Sequence, residues 1–134
     1  MTNGYLTIAE ARDRLRQATQ IVLDKEKAMR EAATRMAETE AIYRREVGAA
    51  FTRYRKDGSS VQESDITARA EVAVHSHDRD LAAANFKVAG EELEDARDSR
   101  RSLWRLIEWS AAHERAAASA QTYDERLPGA TWPT

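Results

Sequence analysis

From Leu6 to Lys56 the chain runs fifty-one residues without a proline, and an apolar side chain returns at every seventh position. Ile8, Leu15, Val22, Met29, Met36 and Tyr43 form that row, with Ala11, Ala18 and Ala32 at intermediate positions. A repeat of 3.5 residues nearly matches the 3.6 residues of an α-helical turn, so such a row keeps one seam of a helix facing a partner. A helix built this way cannot cover its own seam. The chain must fold back on itself or pair with a neighbour, and the expected fold class is all-α: a long antiparallel helical hairpin that assembles into a coiled-coil-like homo-oligomer.

The rest of the chain agrees with long, solvated helices. Charged residues make up 33% of its 134 positions and aromatics only 7%, which suits helices with a narrow apolar face better than a thick core. The periodic apolar content excludes a disordered chain over residues 6–122. A net charge of −2 gives no global field for nucleic acid or anionic lipid, so any such binding needs a local patch. Cysteine is absent, which removes disulfides, thiolate nucleophiles and cysteine–zinc sites. No apolar run reaches the roughly 18 residues needed to span a bilayer. The start lacks a basic segment followed by an apolar one, so it does not read as a secretory signal. A cytoplasmic protein with no membrane contact is the expectation.

Punctuation along the chain divides it simply. Thr7-Ile8-Ala9-Glu10 spells a capping box, in which the threonine oxygen takes a free amide and the glutamate reaches back. Helix one is expected over about 7–56, with a kink allowed near Gln20. Its seam weakens at Lys25, Thr39 and Glu46, and past Tyr43 the apolar set moves to Val47, Phe51 and Tyr54. Asp57-Gly58-Ser59-Ser60 is a turn at 57–60: Gly58 can close a helix in the left-handed conformation, and Ser60 with Glu63, or Ser64 alone, offers the next N-cap. Helix two is expected over about 61–122, with Ile66, Ala70, Val74, Leu81, Ala84, Val88, Leu93, Ala96, Leu103 and Ile107 as its apolar face and Gly90 as a mild interruption. Residues 1–126 then form one helical domain. Pro128-Gly129 ends it, and 127–134 read as a flexible tail that Trp132 could tack down.

Near the tryptophans the apolar surface is too wide for one partner. At 100° per residue, Leu103, Trp104, Leu106, Ile107 and Trp109 cover an arc of roughly 220°, whereas one packing partner needs only about 100°. These five residues are the expected oligomer interface.

The most suggestive run for binding is Tyr43 to Lys56. Arg44, Arg45, Arg53, Arg55 and Lys56 stand against one acid, Glu46, with Tyr43, Phe51 and Tyr54 interleaved. Single-stranded nucleic acid is commonly held in this manner, with cations following the phosphates and aromatic faces stacking on bases. The same cations at a helix C-terminus also complement its dipole. A second charge feature, Glu91, Glu92, Glu94, Asp95 and Asp98 followed by Arg97, Arg100, Arg101 and Arg105, can set the register between neighbouring chains. His75-Ser76-His77-Asp78 resembles a ligand cluster only on paper, because helix positions two apart point about 200° apart. No glycine-rich phosphate loop, HExxH, GxSxG or paired-carboxylate arrangement is present. The expectation is therefore no enzyme, with no catalytic residues, cofactor, metal or small-molecule substrate.

Phe51-Thr52-Arg53-Tyr54, the turn at Gly58 and the segment Leu103-Trp104-Arg105-Leu106-Ile107-Glu108-Trp109 occur in an order that resembles the UvsY-type recombination mediators of tailed phages. The resemblance spans about residues 41–115 and rests on the order and character of segments. Gly48-Ala49-Ala50 stand where that family carries basic residues. It implies a ring-forming helical protein that binds single-stranded DNA and helps load a recombinase past a single-strand-binding protein. On that reading Arg44, Arg45, Arg53, Arg55 and Lys56 contact phosphates and Tyr54 stacks, with recombination proteins as further partners. The alternative is a coiled-coil adaptor, scaffold or inhibitor that grips another protein and binds no nucleic acid.

Overall fold

The computed structural model describes residues 6–126, with side chains to 121; the tail at 127–134, Trp132 included, lies outside the described residues. The fold is all-α: α1 spans Ile8–Lys56, a short α2 spans Val61–Glu71, and α3 spans Ala73–Arg126. Two compact units arise from these helices, one made of residues 22–95 and one of residues 6–21 together with 96–126.

Both ends of α1 are closed by the residues that the capping patterns point to. The Thr7 amide donates to Glu10 Oε2 at 3.0 Å, and the Glu10 amide donates to Thr7 Oγ1 at 3.1 Å. This reciprocal box satisfies two amides that the first turn leaves without carbonyl partners. At the other end Gly58 adopts φ +95°. The Ser59 amide reaches back to the Tyr54 carbonyl at 3.1 Å and the Gly58 amide to the Arg55 carbonyl at 3.2 Å. That pair of bonds is a Schellman motif, which reverses the chain while occupying carbonyls left over at the helix end. Ser60, not Ser64, caps α2: its Oγ accepts from the Glu63 amide at 3.2 Å.

Within residues 22–95, α1 and α3 pack antiparallel, and α2 connects them. Lys25 Nζ meets Glu92 Oε2 at 2.9 Å, while further along α1 Glu40 approaches Arg79 Nε at 3.8 Å. The packed row of α1 steps by three and four through Val22, Lys25, Met29, Ala32, Met36, Thr39, Tyr43, Glu46 and Ala50. The seam thus keeps its register through the three polar positions where it was expected to weaken. Each polar side chain there is satisfied: buried Thr39 donates to the Arg35 and Met36 carbonyls at 3.0 Å, and Glu46 pairs with Arg45 at 3.4 Å. α1 runs without a break through Gln20.

Helix two is two helices. Val72, at φ −97° and ψ 21°, interrupts the α-helical path between α2 and α3. Ala68 and Val72, four residues apart and so on one side of the chain, share a buried cluster with Ala50, against which Tyr43, Val47, Phe51 and Tyr54 pack. The change of stripe past Tyr43 has its cause here, because this end of α1 packs a broader set of side chains. Continuity holds at Gly90, where a Cβ would sit 3.8 Å from Met29 Cε, ordinary van der Waals contact.

The expected inner face of helix two requires correction over its first half. Ile66, Val74, Leu81 and Val88 are exposed, Val74 at 71% and Leu81 at 51%. Ala70 and Ala84 are exposed as well. The packed row instead runs through Ala68, Val72, Arg79, Ala82, Phe86 and Leu93. Small side chains at Ala68 and Ala82 let helices approach closely, and Arg79 has a specific seat: its guanidinium lies 4.0 Å from the centroid of the Tyr43 ring. From Leu93 onward the expectation holds, with Ala96, Leu103 and Ile107 half-buried.

Candidate binding and assembly surfaces

The basic end of α1 belongs to the unit of residues 22–95. A linear cluster wraps around a helix at 100° per residue, so its members separate. Arg44, Arg45, Arg53, Arg55 and Lys56 are all exposed, yet they do not form one face. Arg44 Nε bonds Glu40 Oε1 at 2.8 Å one turn earlier, and Arg53 makes a two-pronged contact with the Glu71 carboxylate on α2. Arg55 Nη1 donates to the Ser59 carbonyl at 2.8 Å, which braces the turn. Lys56 has no ion pair or side-chain hydrogen bond among the described residues. A hydrogen bond with Tyr54, and then the charge of Glu71, hold the Arg53 guanidinium above its ordinary pKa.

The aromatic residues of the run are engaged in packing. Tyr54 is half-buried against the Ala50–Ala68–Val72 cluster, and the Arg53 guanidinium lies 5.4 Å from its ring centroid. Tyr43 carries Arg79 on its ring, and Phe51 packs on the same cluster. The stacking surface sought in the sequence is therefore largely taken up inside the fold. What the outward face of α1 does offer is a smooth strip. Gly48, Ala49 and Thr52 are exposed between Arg45 and Lys56, and a Cβ at Gly48 would meet nothing within 4 Å.

In the second unit the five residues of the wide apolar arc divide between two sides. Leu103 and Ile107 are half-buried in the packed row. Trp104, Leu106 and Trp109 are exposed, Trp109 at 63%. Trp109 stacks on His113 one turn later, with ring centroids 5.4 Å apart. That stacking leaves the outer side of the indole open. The hydrophobic surface beyond the packed row is the part that reading the arc from spacing alone identified.

A second exposed apolar row was missed as such. Val74, Leu81 and Val88 lie seven apart on α3 and point to solvent. Its signal was present in the spacing but was assigned to the inside. Among the described residues no three His, Cys, Asp or Glu side chains are grouped to hold a metal ion, and no helix is long and apolar enough to cross a membrane. No family model, curated protein or solved structure matches the chain.

Proposed function

We propose that this chain is a non-enzymatic helical assembly module whose first partner is a second copy of itself. The observation that carries the reading is the exposed row Val74, Leu81 and Val88, which repeats heptad spacing on a face that α1 does not cover. Solvated apolar rows of this kind are what coiled-coil partners bury. A two-fold antiparallel pairing centred on Leu81 would set Val74 against Val88 of the partner copy and Leu81 against Leu81. Leu106 and Trp109 give the other unit an apolar surface of its own.

Light scattering at micromolar concentration tests this directly. Assembly larger than one chain is expected, and Leu81→Glu with Val88→Glu should reduce it to monomer. A monomeric wild type, or a double variant that assembles as before, defeats the reading for this row. Leu106→Glu with Trp109→Glu asks the same question of the other unit.

Single-stranded DNA binding in phage-type recombination is the second reading, and the strip at Gly48, Ala49 and Thr52 favours it. A backbone could lie along that strip with Arg44 and Arg45 at one end and Arg55 and Lys56 at the other. Exposed ion pairs such as Arg44–Glu40 contribute little, about 0–1 kcal/mol each, so phosphates can compete for these cations. Four phosphate contacts on a single strand imply that log affinity falls against log salt with a slope of about −3. Oligonucleotide titration at two salt concentrations measures it. Equal binding by a variant with Arg44, Arg45, Arg55 and Lys56 changed to Gln refutes this reading.

A further inference from the structure

In the unit that joins the start of α1 to the later part of α3, a groove of about 370 Å³ opens between the two helices. Leu15 and Thr19 line it from α1, and Arg97, Arg100, Arg101 and Trp104 line it from α3. The volume falls within the range of small-molecule sites, which pair an apolar wall with a few convergent polar groups. Here the apolar wall is Leu15 and the indole of Trp104, and the polar groups are three guanidiniums within one and a half turns of helix. Thr19 is already committed, since its hydroxyl donates to the Leu15 carbonyl at 2.9 Å.

Arg100 makes the arrangement unusual. It stands in the same half-buried row as Leu103 and Ile107, where a coiled-coil seam ordinarily carries an apolar residue. Arg101 pairs with Asp98 at 2.8 Å, but Arg100 has no hydrogen bond or ion pair among the described residues. A partly buried cation with no ion pair can take an anion without first giving up a partner. The planar guanidinium matches carboxylate and phosphate in a two-pronged geometry, and Trp104 lines the same groove.

We propose that this groove binds a small aromatic anion of the nucleotide class. The ring lies against Trp104 and Leu15, and the phosphate sits on Arg100 with Arg97 and Arg101 flanking it. This departs from the sequence-based expectation of no small-molecule ligand. It uses none of the residues assigned to the DNA strip or to the Val74–Leu81–Val88 row, so it stands or falls independently of both.

Trp104 reports on its own site. In a chain carrying Trp109→Phe and Trp132→Phe it is the one remaining tryptophan, and adenosine monophosphate should quench its fluorescence to saturation. Adenosine lacks the anion and inorganic phosphate lacks the ring, so each should bind at least about tenfold more weakly. Arg100→Gln should weaken adenosine monophosphate by about tenfold or more while circular dichroism shows unchanged helix content. If R100Q loses helix content, Arg101→Gln takes its place with the same expectation. A terminally phosphorylated dinucleotide separates the sources. Tighter binding than the mononucleotide assigns the groove to a strand end, and weaker binding assigns it to the free nucleotide. No saturable quenching, phosphate binding as tightly as adenosine monophosphate, or an arginine variant that binds like the parent overturns the proposal.

Discussion

Removing a hydroxyl from the interior of this protein should make it more stable. Ser64 is wholly buried, and its Oγ has no hydrogen-bond partner among the described residues. The Ser64 amide is used by the first turn of α2, donating to the Ser60 carbonyl at 2.9 Å, so the backbone is satisfied and the side chain alone is stranded. A buried hydroxyl without a partner forfeits about 1–3 kcal/mol of hydration. Ser64→Ala removes the hydroxyl, keeps the Cβ in place, and adds a few tenths of a kcal/mol from the better helix propensity of alanine. The void left by one oxygen is small, so it offsets only part of the gain. The net expectation is stabilisation by about 1–2 kcal/mol. For a chain of this size that raises the thermal midpoint by about 4 °C per kcal/mol.

Thermal melts and urea titrations, both followed by circular dichroism at 222 nm (the usual helix band), measure the change. Protein concentration must be held fixed, because any self-association would couple the midpoint to concentration. A fall of about 1 kcal/mol or more would refute the reasoning, since it means that Ser64 Oγ is bonded in solution. One candidate acceptor is the Ser60 carbonyl one turn earlier, a common target for serine within a helix. Ser64→Val is the companion variant. It also deletes the hydroxyl but adds two methyl groups to a site with no exposed surface, and overpacking should cost about 1–3 kcal/mol. Opposite signs for the two variants locate the effect in the hydroxyl and in the tightness of its surroundings.

Val22 is the largest apolar side chain with no exposed surface, and Val22→Ala should cost about 2 kcal/mol by urea titration, combining lost transfer energy with the residual cavity. Gly58→Ala should lower stability by about 1 kcal/mol, because φ +95° strains any Cβ even though no atom lies within 4 Å of its position; a neutral result means the turn relaxes to another conformation. Lys25 occupies a half-buried seam position and gains one partly exposed ion pair with Glu92. Lys25→Leu should therefore raise the urea midpoint, since burying the added apolar surface outweighs a pair worth about 1 kcal/mol at most.

Helix α1 was readable because its signals are local and agree. The Thr7–Glu10 box, the heptad row and the Gly58 turn each act within a few residues, and no tertiary partner is needed to decide them. The three polar seam positions were harder, because polarity alone says nothing of whether a side chain has a partner. Thr39 finds two carbonyls of its own helix and Lys25 finds a carboxylate sixty-seven residues away. The basic run misled in the same manner: the acids that answer Arg44 and Arg53 lie at Glu40, outside the run, and at Glu71, on another helix.

The register of α3 is the instructive failure, because the sequence holds two heptad rows there and the more apolar one faces outward. Val74, Leu81 and Val88 compete with Val72, Arg79, Phe86 and Leu93 for the inner side. Hydrophobicity summed along each row gives no reason to bury an arginine. Geometry does: Ala82 beside Arg79 leaves space for a close approach, and α1 presents Tyr43 and Glu40 to the guanidinium. A cation on an aromatic face is attracted specifically, whereas a valine at that place would gain only its own area. Once Arg79 is seated, a helix cannot also turn Leu81 inward, because the two positions lie about 200° apart. The exposed row follows from that choice. One chain satisfies one of its two rows, and the other is left as apolar surface at heptad spacing.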